Sequence, residues 1–159
     1  MTIDLSAQQT MVGECHIRPA GSSDCQRIAV LATQLGYPSD ADNIKRRMAE
    51  IEDREGYAIY VAEDPHHLVI GWIGVHVFTT VVYDKFAEIS GLIVDQESRC
   101  HGVGAKLLLE AERWARKNGC HGISVRSNVV RERAHQFYLK HAYEFTKDQK
   151  TFVKSLEGA

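Results

Sequence analysis

The stretch that decides the fold is residues 86–118, FAEISGLIVDQESRCHGVGAKLLLEAERWARKN. Its first part, 86–94, is rich in apolar and β-branched residues and predicts a strand. Its last part, 102–118, predicts an amphipathic helix that stops at Asn118-Gly119 and has basic residues in its last turn. The apolar stripe of this helix consists of Val103, Leu107, Leu108, Ala111, Trp114 and Ala115. A strand, a loop and a helix therefore follow one another directly.

The loop between them has an Arg-x-x-Gly-x-Gly pattern, formed by Arg99, Gly102 and Gly104. Glycines let a backbone approach a ligand closely, and the free N–H groups at a helix start attract an anion such as phosphate. A flexible turn that binds nothing would have the same pattern, so the loop alone leaves both interpretations open. Two other nucleotide-binding patterns are excluded, because a P-loop needs Gly-Lys-Ser/Thr and a dinucleotide fingerprint needs a third glycine near Leu107.

The chain outside this stretch also alternates between strand and helix patterns. Further strands are predicted over 14–18, 57–63, 123–126 and 143–154. Further helices are predicted over about 24–35, 40–51 and 132–141. With one or two strands before residue 86, this order indicates an α/β fold in which helices pack on a mixed sheet.

The longest run without Asp, Glu, Lys or Arg spans residues 65–83. Its length approaches that of a membrane-spanning helix, but it contains histidines, glycines and many β-branched residues. These residue types fit a sheet better than a helix that faces lipid. The run therefore predicts two strands, or one long bent strand.

The composition is that of one ordinary globular domain, with 159 residues, 44% of them hydrophobic and 25% charged. We therefore assign residues 1–159 to a single domain and expect residues 1–13 to be loose. The formal net charge of −2 excludes binding to nucleic acid or to an anionic membrane through a strongly basic surface. The first residues lack the basic and apolar regions of a secretory signal, which predicts a cytoplasmic protein.

Four cysteines are spread along the chain without a Cys-x-x-Cys pattern. Three of them, Cys15, Cys100 and Cys120, are followed directly by histidine. Neighbouring residues on a strand point to opposite faces, so such pairs are poor chelates. We therefore predict no metal site.

Three features along the chain together resemble one known superfamily. They are the loop at 99–104 after an apolar strand, Asn128 after the next strand, and the Ala-x-x-Phe-Tyr segment at 134–138. This combination is similar to the GCN5-related N-acetyltransferase (GNAT) superfamily, and the order of elements from residue 17 to about 154 is similar as well. The resemblance implies a largely antiparallel mixed sheet flanked by helices, the acyl-CoA acyltransferase fold of that superfamily.

The resemblance also implies acetyl-CoA as the donor substrate. Backbone N–H groups of 100–105 would bind the pyrophosphate, and backbone groups of 92–94 would pair with the pantetheine arm where this strand splays from 123–126. A main-chain N–H near Leu92 would donate to the oxyanion, and Asn128 would hold the pantetheine or a water, or else cap a polar loop. The implied donor-binding residues are Leu92, Ile93, Val94, Arg99, Cys100, His101, Gly102, Val103, Gly104, Ala105 and Asn128.

Two residues receive catalytic roles from the resemblance. Tyr138 resembles the family's general acid, which protonates the departing CoA thiolate, and its alternative is an aromatic core residue. Glu88 resembles the base of the histone-acetylating branch, and a carboxylate in an apolar strand can take up the proton of the amine directly or through water. The alternative for Glu88 is an outward-facing strand residue.

The activity that the resemblance implies is transfer of an acetyl group from acetyl-CoA to a primary amine, by direct attack in a ternary complex. A small-molecule acceptor is expected, and a protein lysine or N-terminal amine, or a non-catalytic CoA-binding module, are the alternatives. Acidic groups at the acceptor site would suit a cationic aminoglycoside or polyamine. The implied acceptor segments are 35–42, the turn at 83–85 and the C-terminal strand, and Tyr37, Tyr83 and Glu88 are candidate lining residues. We expect no nucleic-acid or membrane partner, and homodimers are frequent in the superfamily.

Overall fold

Strand β4 (Phe86–Val94) begins the stretch that decides the fold and lies inside a five-stranded sheet. The computed structural model describes residues 14–158 and divides the chain into two compact units, which follow one another in sequence at Arg126 and Ser127. The expectation that residues 1–13 are loose falls outside the described residues. The single-domain assignment stays a prediction.

The five strands of the described residues belong to the first unit. They are β1 (His16–Pro19), β2 (Tyr57–Glu63), β3 (Val69–Phe78), β4 and β5 (Gly122–Val125). They lie in the sheet in this order, and neighbours are antiparallel except for β4 and β5, which run parallel. A parallel pair needs a long crossover, which the helix between these two strands supplies. The predicted mixed, largely antiparallel sheet is confirmed.

Among the described residues, the first unit also contains three α-helices, α1 (Cys25–Leu35), α2 (Ala41–Glu52) and α3 (Val103–Lys117). Gly36 ends α1 in a left-handed conformation with φ of 97°, as expected of a C-terminal glycine. The Asp40 side chain caps α2 by accepting a hydrogen bond from the Asn43 N–H at 2.8 Å. All three helices lie within a few residues of their predicted positions.

The charge-free run at 65–83 contains one long strand, β3. Residues 79–85, which follow this strand, have no regular structure. Most of the strand is buried, because β3 is the central strand and helices cover both of its faces. Within residues 14–158, no helix is long and apolar enough to cross a membrane.

The core lies on the two faces of the sheet. Helices α1 and α2 cover the face that carries Trp72, and α3 covers the opposite face, where its Leu107 meets Gly71. A Cβ atom at Gly71 would lie 2.9 Å from the Ile93 carbonyl oxygen and 3.1 Å from Leu107, so only glycine lets α3 approach this closely. The core cluster under α1 and α2 consists of Ile28, Leu31, Val61, Val69 and Ile93.

The second unit contains helix α4 (Glu132–Lys140), which confirms the predicted short helix. The predicted strand over 143–154 is wrong, because these residues form no strand. Phe145 and Phe152 are 73% and 88% exposed, so their side chains do not form a buried face. A strand needs a hydrogen-bonded neighbour as well as an apolar pattern, and the pattern alone does not supply one.

Candidate functional site

The loop between β4 and α3 turns sharply before the helix begins. A short 3-10 turn over Gln96–Ser98 follows β4, and the backbone is left-handed at Cys100, with φ of 67°, and at Gly102, with φ of 78°. A Cβ atom at Gly102 would meet nothing within 4 Å, so this glycine serves the left-handed backbone and not a close contact. Cys100 lacks that freedom, and its conformation stores strain of about 1–2 kcal/mol.

The start of α3 has the geometry of an anion-binding site. Its first helical hydrogen bond runs from the Lys106 N–H to the Gly102 carbonyl at 3.1 Å, so the helix offers no acceptor to the N–H groups of 103–105. The 15-residue helix adds the positive end of its dipole. No acidic side chain occurs within 99–105. This helix N-terminus can therefore bind a phosphate group.

Arg99 ties this loop to the end of β4. Its Nε donates a hydrogen bond to the Val94 carbonyl at 3.1 Å, and its side chain is half-buried. This hydrogen bond links two predicted parts of the donor site, strand residues 92–94 and loop residues 99–105. Ile93 is buried in the core cluster, so only its backbone is available to a ligand.

Strands β4 and β5 separate next to this loop. Their last paired residues are Ile89 and Val125, whereas β4 continues to Val94. Ser90 forms a bulge, because the pairing of β4 with β3 shifts at this residue. Among the described residues, the β5 side of 90–94 has no strand partner. Backbone groups along this edge can pair with an extended ligand as a further strand would.

The beginning of the loop is also fastened to α1. The buried Asp95 carboxylate accepts a hydrogen bond from Arg27, whose Nε also donates to the Val69 carbonyl at 2.8 Å. Burial opposes the ionisation of Asp95, but hydrogen bonds from the Glu97 N–H and from Arg27 outweigh it and lower the pKa of this carboxyl. Arg27 therefore connects α1 to the residues just before the loop at 99–105, which we call the anion-binding loop.

Glu88 lies on β4, opposite His76 of β3 and Ser124 of β5. Its side chain is 14% exposed and forms an ion pair with the exposed Arg126. The carboxylate is therefore neither a free surface group nor an isolated buried one. As a base it would act beside the Arg126 guanidinium or through a water.

Sequence reasoning missed His76, the cross-strand neighbour of Glu88. Its Nδ1 is buried and finds no hydrogen-bond partner within residues 14–158. Its ring stacks on Tyr57 with centroids 5.3 Å apart and an interplanar angle of 15°. The signal that could have found it is a histidine inside an otherwise apolar central strand.

A cavity of about 350 Å³ lies between α1, α2 and the sheet. It includes part of the predicted acceptor segment 35–42, with Tyr37 at an exposed position. Tyr83 and Glu88 are not among its lining residues, although the bulged Ser90 is. The lining residues are Ile28, Ala32, Leu35, Tyr37, Ser39, Ile44, Arg47, Met48, Ile51, Tyr57, Ala58, Ile59, Trp72, Gly74, Val75 and Ser90.

The second unit carries the two remaining predicted site residues. The Tyr138 ring lies 5.3 Å from Phe137 and 5.5 Å from Tyr143, and burial raises the pKa of its phenol to about 12. The phenol therefore keeps its proton at neutral pH. The Asn128 side chain accepts a hydrogen bond from the Val130 N–H at 3.1 Å, which makes it part of a turn before α4.

The four cysteines are free thiols. Within residues 14–158, no group of three or more His, Cys, Asp or Glu side chains has the arrangement of a metal site.

Three known proteins indicate what this chain is similar to. An aminoalkylphosphonate N-acetyltransferase of Salmonella typhimurium is 27% identical over 139 residues, which cover 82% of this chain and 85% of that protein. A transcriptional regulator of Bacillus halodurans has a TM-score of 0.80 at 20% identity, with 89% of this chain and 100% of that chain covered. An aminoglycoside N-acetyltransferase in complex with CoA has a TM-score of 0.79 at 18% identity, with 89% and 95% covered. At these identities, the two solved structures show the fold alone.

The family described as Acetyltransferase (GNAT) family matches residues 24–143. This range contains the unpaired edge of β4, the anion-binding loop and helix α4. It covers most of the chain, and the fold agrees with it. The chain therefore belongs to the GNAT acetyltransferase family, and it is an acyltransferase that depends on acetyl-CoA.

Proposed function

We propose that this enzyme moves an acetyl group from acetyl-CoA to the primary amine of a small molecule, by direct attack in a ternary complex. The observation that carries the proposal is the left-handed Gly102, which opens the N-terminus of α3 beside the unpaired edge of β4. An anion site next to an unpaired strand edge suits a donor that has a pyrophosphate and an amide-containing arm.

The residues at this place fit the donor. The N–H groups of 100–105 would hold the pyrophosphate, with Arg99 fixing the loop and no carboxylate opposing the charge. The backbone of 92–94 would pair with the pantetheine, and a main-chain N–H near Leu92 would donate to the oxyanion. Asn128 is proposed to contact the pantetheine or a water, although its side chain also serves its own turn.

The chemistry requires little beyond positioning and proton transfer. The neutral amine attacks the carbonyl carbon of the thioester, the C–S bond breaks, and CoA leaves as a thiolate. Glu88 is proposed to receive the proton of the amine, directly or through a water. Tyr138 is proposed to donate to the departing sulfur, because its buried phenol carries its proton at neutral pH.

A small-molecule acceptor is favoured over a protein acceptor by the similar Salmonella typhimurium protein, whose name describes acetylation of an aminoalkylphosphonate. The mostly apolar lining of the cavity under α1 and α2 and its volume of about 350 Å³ also suit a small ligand. A cytoplasmic location, a homodimer and the absence of nucleic-acid and membrane partners stay predictions.

The test is release of free thiol from acetyl-CoA with a panel of amines and lysine-containing peptides. The proposal expects turnover on free amines. Turnover on peptides alone would assign the protein-acetylating alternative, and CoA binding without any turnover would contradict the proposed catalysis. Calorimetric titration with CoA provides the binding arm of the test.

A further inference from the structure

We propose that the cavity under α1 and α2 is the acceptor site, and that it selects an amine with an apolar body and an anionic group at the far end from the nitrogen. This inference rests on the proposed function and names the class of acceptor that would be acetylated. It differs from the expectation of a cationic aminoglycoside or polyamine.

The walls of the cavity are mostly apolar. Helix α1 contributes the aliphatic side chains of Ile28, Ala32 and Leu35. Helix α2 contributes Ile44, Met48 and Ile51. Tyr57 and Trp72 add aromatic surface from the sheet. An acceptor with many hydroxyl groups would leave them without hydrogen-bond partners against such walls, which disfavours a sugar.

The charge of the cavity lining is positive. Among the described residues that line the cavity, Arg47 alone has a side chain charged at neutral pH, and none is Asp or Glu. The Arg47 Nη1 donates to the Ser39 hydroxyl at 2.9 Å, and both residues line the cavity. A polycation would meet this guanidinium without a carboxylate to compensate, whereas a carboxylate or phosphonate would form an ion pair with it.

One part of the cavity lies at the bulge of β4. Ser90 and Gly74 line it there, and Trp72 lies across Gly91, where a Cβ atom would be 2.6 Å from the indole ring. Glycine at 91 therefore lets the indole cover the backbone immediately before the proposed oxyanion donor near Leu92. The indole Nε1 is buried and finds no hydrogen-bond partner within residues 14–158. An amine placed at the bulge would stand beside the donor edge of β4.

The volume suits a small acceptor. The cavity of about 350 Å³ lies near the lower limit of ordinary ligand pockets, which begin at roughly 300 Å³. In the proposed binding mode, the nitrogen of the acceptor lies at the bulge of β4 and its anionic group lies at Arg47.

The experiment compares benzylamine with para-(aminomethyl)benzoate, a pair that differs only in a carboxylate at the far end. Spermidine, kanamycin and aminoethylphosphonate represent polycations and an anionic amine without an apolar body. We expect kcat/KM to be highest for para-(aminomethyl)benzoate, about 2- to 5-fold above benzylamine, because Arg47 is exposed and water weakens its ion pair. The other three amines should fall below benzylamine.

The variant Arg47→Gln should remove the advantage of the carboxylate, so that kcat/KM for para-(aminomethyl)benzoate falls to about that for benzylamine in the same variant. Arg46→Gln is the matched control, because Arg46 lies on the same helix, pairs with Glu50 and is absent from the cavity lining. Both residues are exposed, so both variants should fold.

Two failures are distinguishable. If no free amine is acetylated although CoA binds, the proposed function fails, and the inference fails with it. If amines are acetylated but spermidine or kanamycin is preferred, or if Arg47→Gln affects both benzyl compounds equally, only the inference is overturned.

Discussion

The anion-binding loop at 99–105 and the cavity under α1 and α2 are built by opposite means. The loop consists of consecutive residues and binds through backbone N–H groups, so its demands on sequence are a few glycines at fixed spacing. The cavity is built from side chains of two helices and three strands, which are far apart in the chain. A backbone site leaves a motif in the sequence, and a side-chain cavity leaves none.

This contrast separates what the family shares from what distinguishes its members. The acetyltransferases to which this chain is similar share the transfer of an acetyl group, so one kind of donor loop can serve them. The acceptor differs, and the cavity can change one side chain at a time without disturbing the loop. Mutations in the two regions should therefore affect different kinetic constants, and the predictions below test how far this separation holds.

The largest effect is expected from Tyr138→Phe, which belongs to neither region. Loss of the phenol hydroxyl should lower kcat about 10³-fold, because the departing sulfur loses its proton donor, and should leave CoA affinity nearly unchanged. Since burial raises the pKa of Tyr138 to about 12, wild-type turnover should show no loss from this phenol below about pH 11. Thiol-release rates and CoA titrations provide the two readouts.

Tyr143→Phe is the control for this variant, because the Tyr143 ring lies 5.5 Å from Tyr138 in the same unit. It should retain turnover within a few-fold of wild type. Equal losses in both variants, or unchanged turnover in Tyr138→Phe, would remove Tyr138 from the role of acid.

A smaller effect is expected from Glu88→Gln, which tests proton removal from the acceptor. We expect kcat/KM for the amine to fall about 10²-fold, with CoA affinity unchanged. Arg126→Gln breaks the same ion pair but keeps the carboxylate, so it should retain most of the activity. If both variants lose activity equally, the pair is structural and Glu88 is not the base.

Gly102→Ala tests the donor region alone. Its left-handed φ of 78° costs a residue with a side chain about 1–2 kcal/mol, and CoA affinity should fall about 5- to 30-fold if binding must restore that conformation. Gly119→Ala is the matched control, because Gly119 has φ of 72° and equally open space but lies beyond the other end of α3. Both variants should lose similar stability in urea, and only Gly102→Ala should lose CoA affinity.

If Gly102→Ala changes the KM for the amine as much as it changes the affinity for CoA, the separation of the two regions is contradicted. Unchanged CoA affinity in Gly102→Ala would show instead that the loop conformation is unimportant for the donor.

The same contrast explains how much the sequence could predict. The helices and the first-unit strands follow from local periodicity and from stop signals such as Gly36 and Asn118, so their bounds are accurate. The loop could be located because a left-handed backbone requires glycine at a place such as Gly102. Residues 143–154 were predicted wrongly, because an apolar pattern does not reveal whether a neighbouring strand is present.

The acceptor region could be predicted only in part. Tyr37 lines the cavity that we propose as the acceptor site, whereas Arg47, Trp72 and His76 were overlooked. Their importance depends on the register that places β3 beside β4 and on the packing of α2, and neither quantity is encoded by local spacing.

The smallest effect on activity is expected where the two regions are joined, at Arg27 of α1 and Asp95 before the loop. Arg27→Met leaves a buried carboxylate without its main partner, so the free energy of unfolding should fall by about 1–3 kcal/mol at neutral pH. The affinity for CoA should fall and the KM for the amine should rise only a few-fold, because neither Arg27 nor Asp95 is proposed to contact a ligand. Arg113→Met is the control, since Arg113 is exposed and its pairing with Glu110 at 3.5 Å should contribute little.

The loss of stability in Arg27→Met should depend on pH. The pKa of Asp95 is lowered in the folded protein, so its contribution to stability is present above the ordinary carboxyl pKa and is lost as the pH falls through the lower, folded value. The stability difference between wild type and Arg27→Met should therefore narrow below about pH 4. Urea unfolding at neutral pH and near pH 3.5 measures it, and a pH-independent difference would mean that Arg27 acts through its bond to the Val69 carbonyl and not through Asp95.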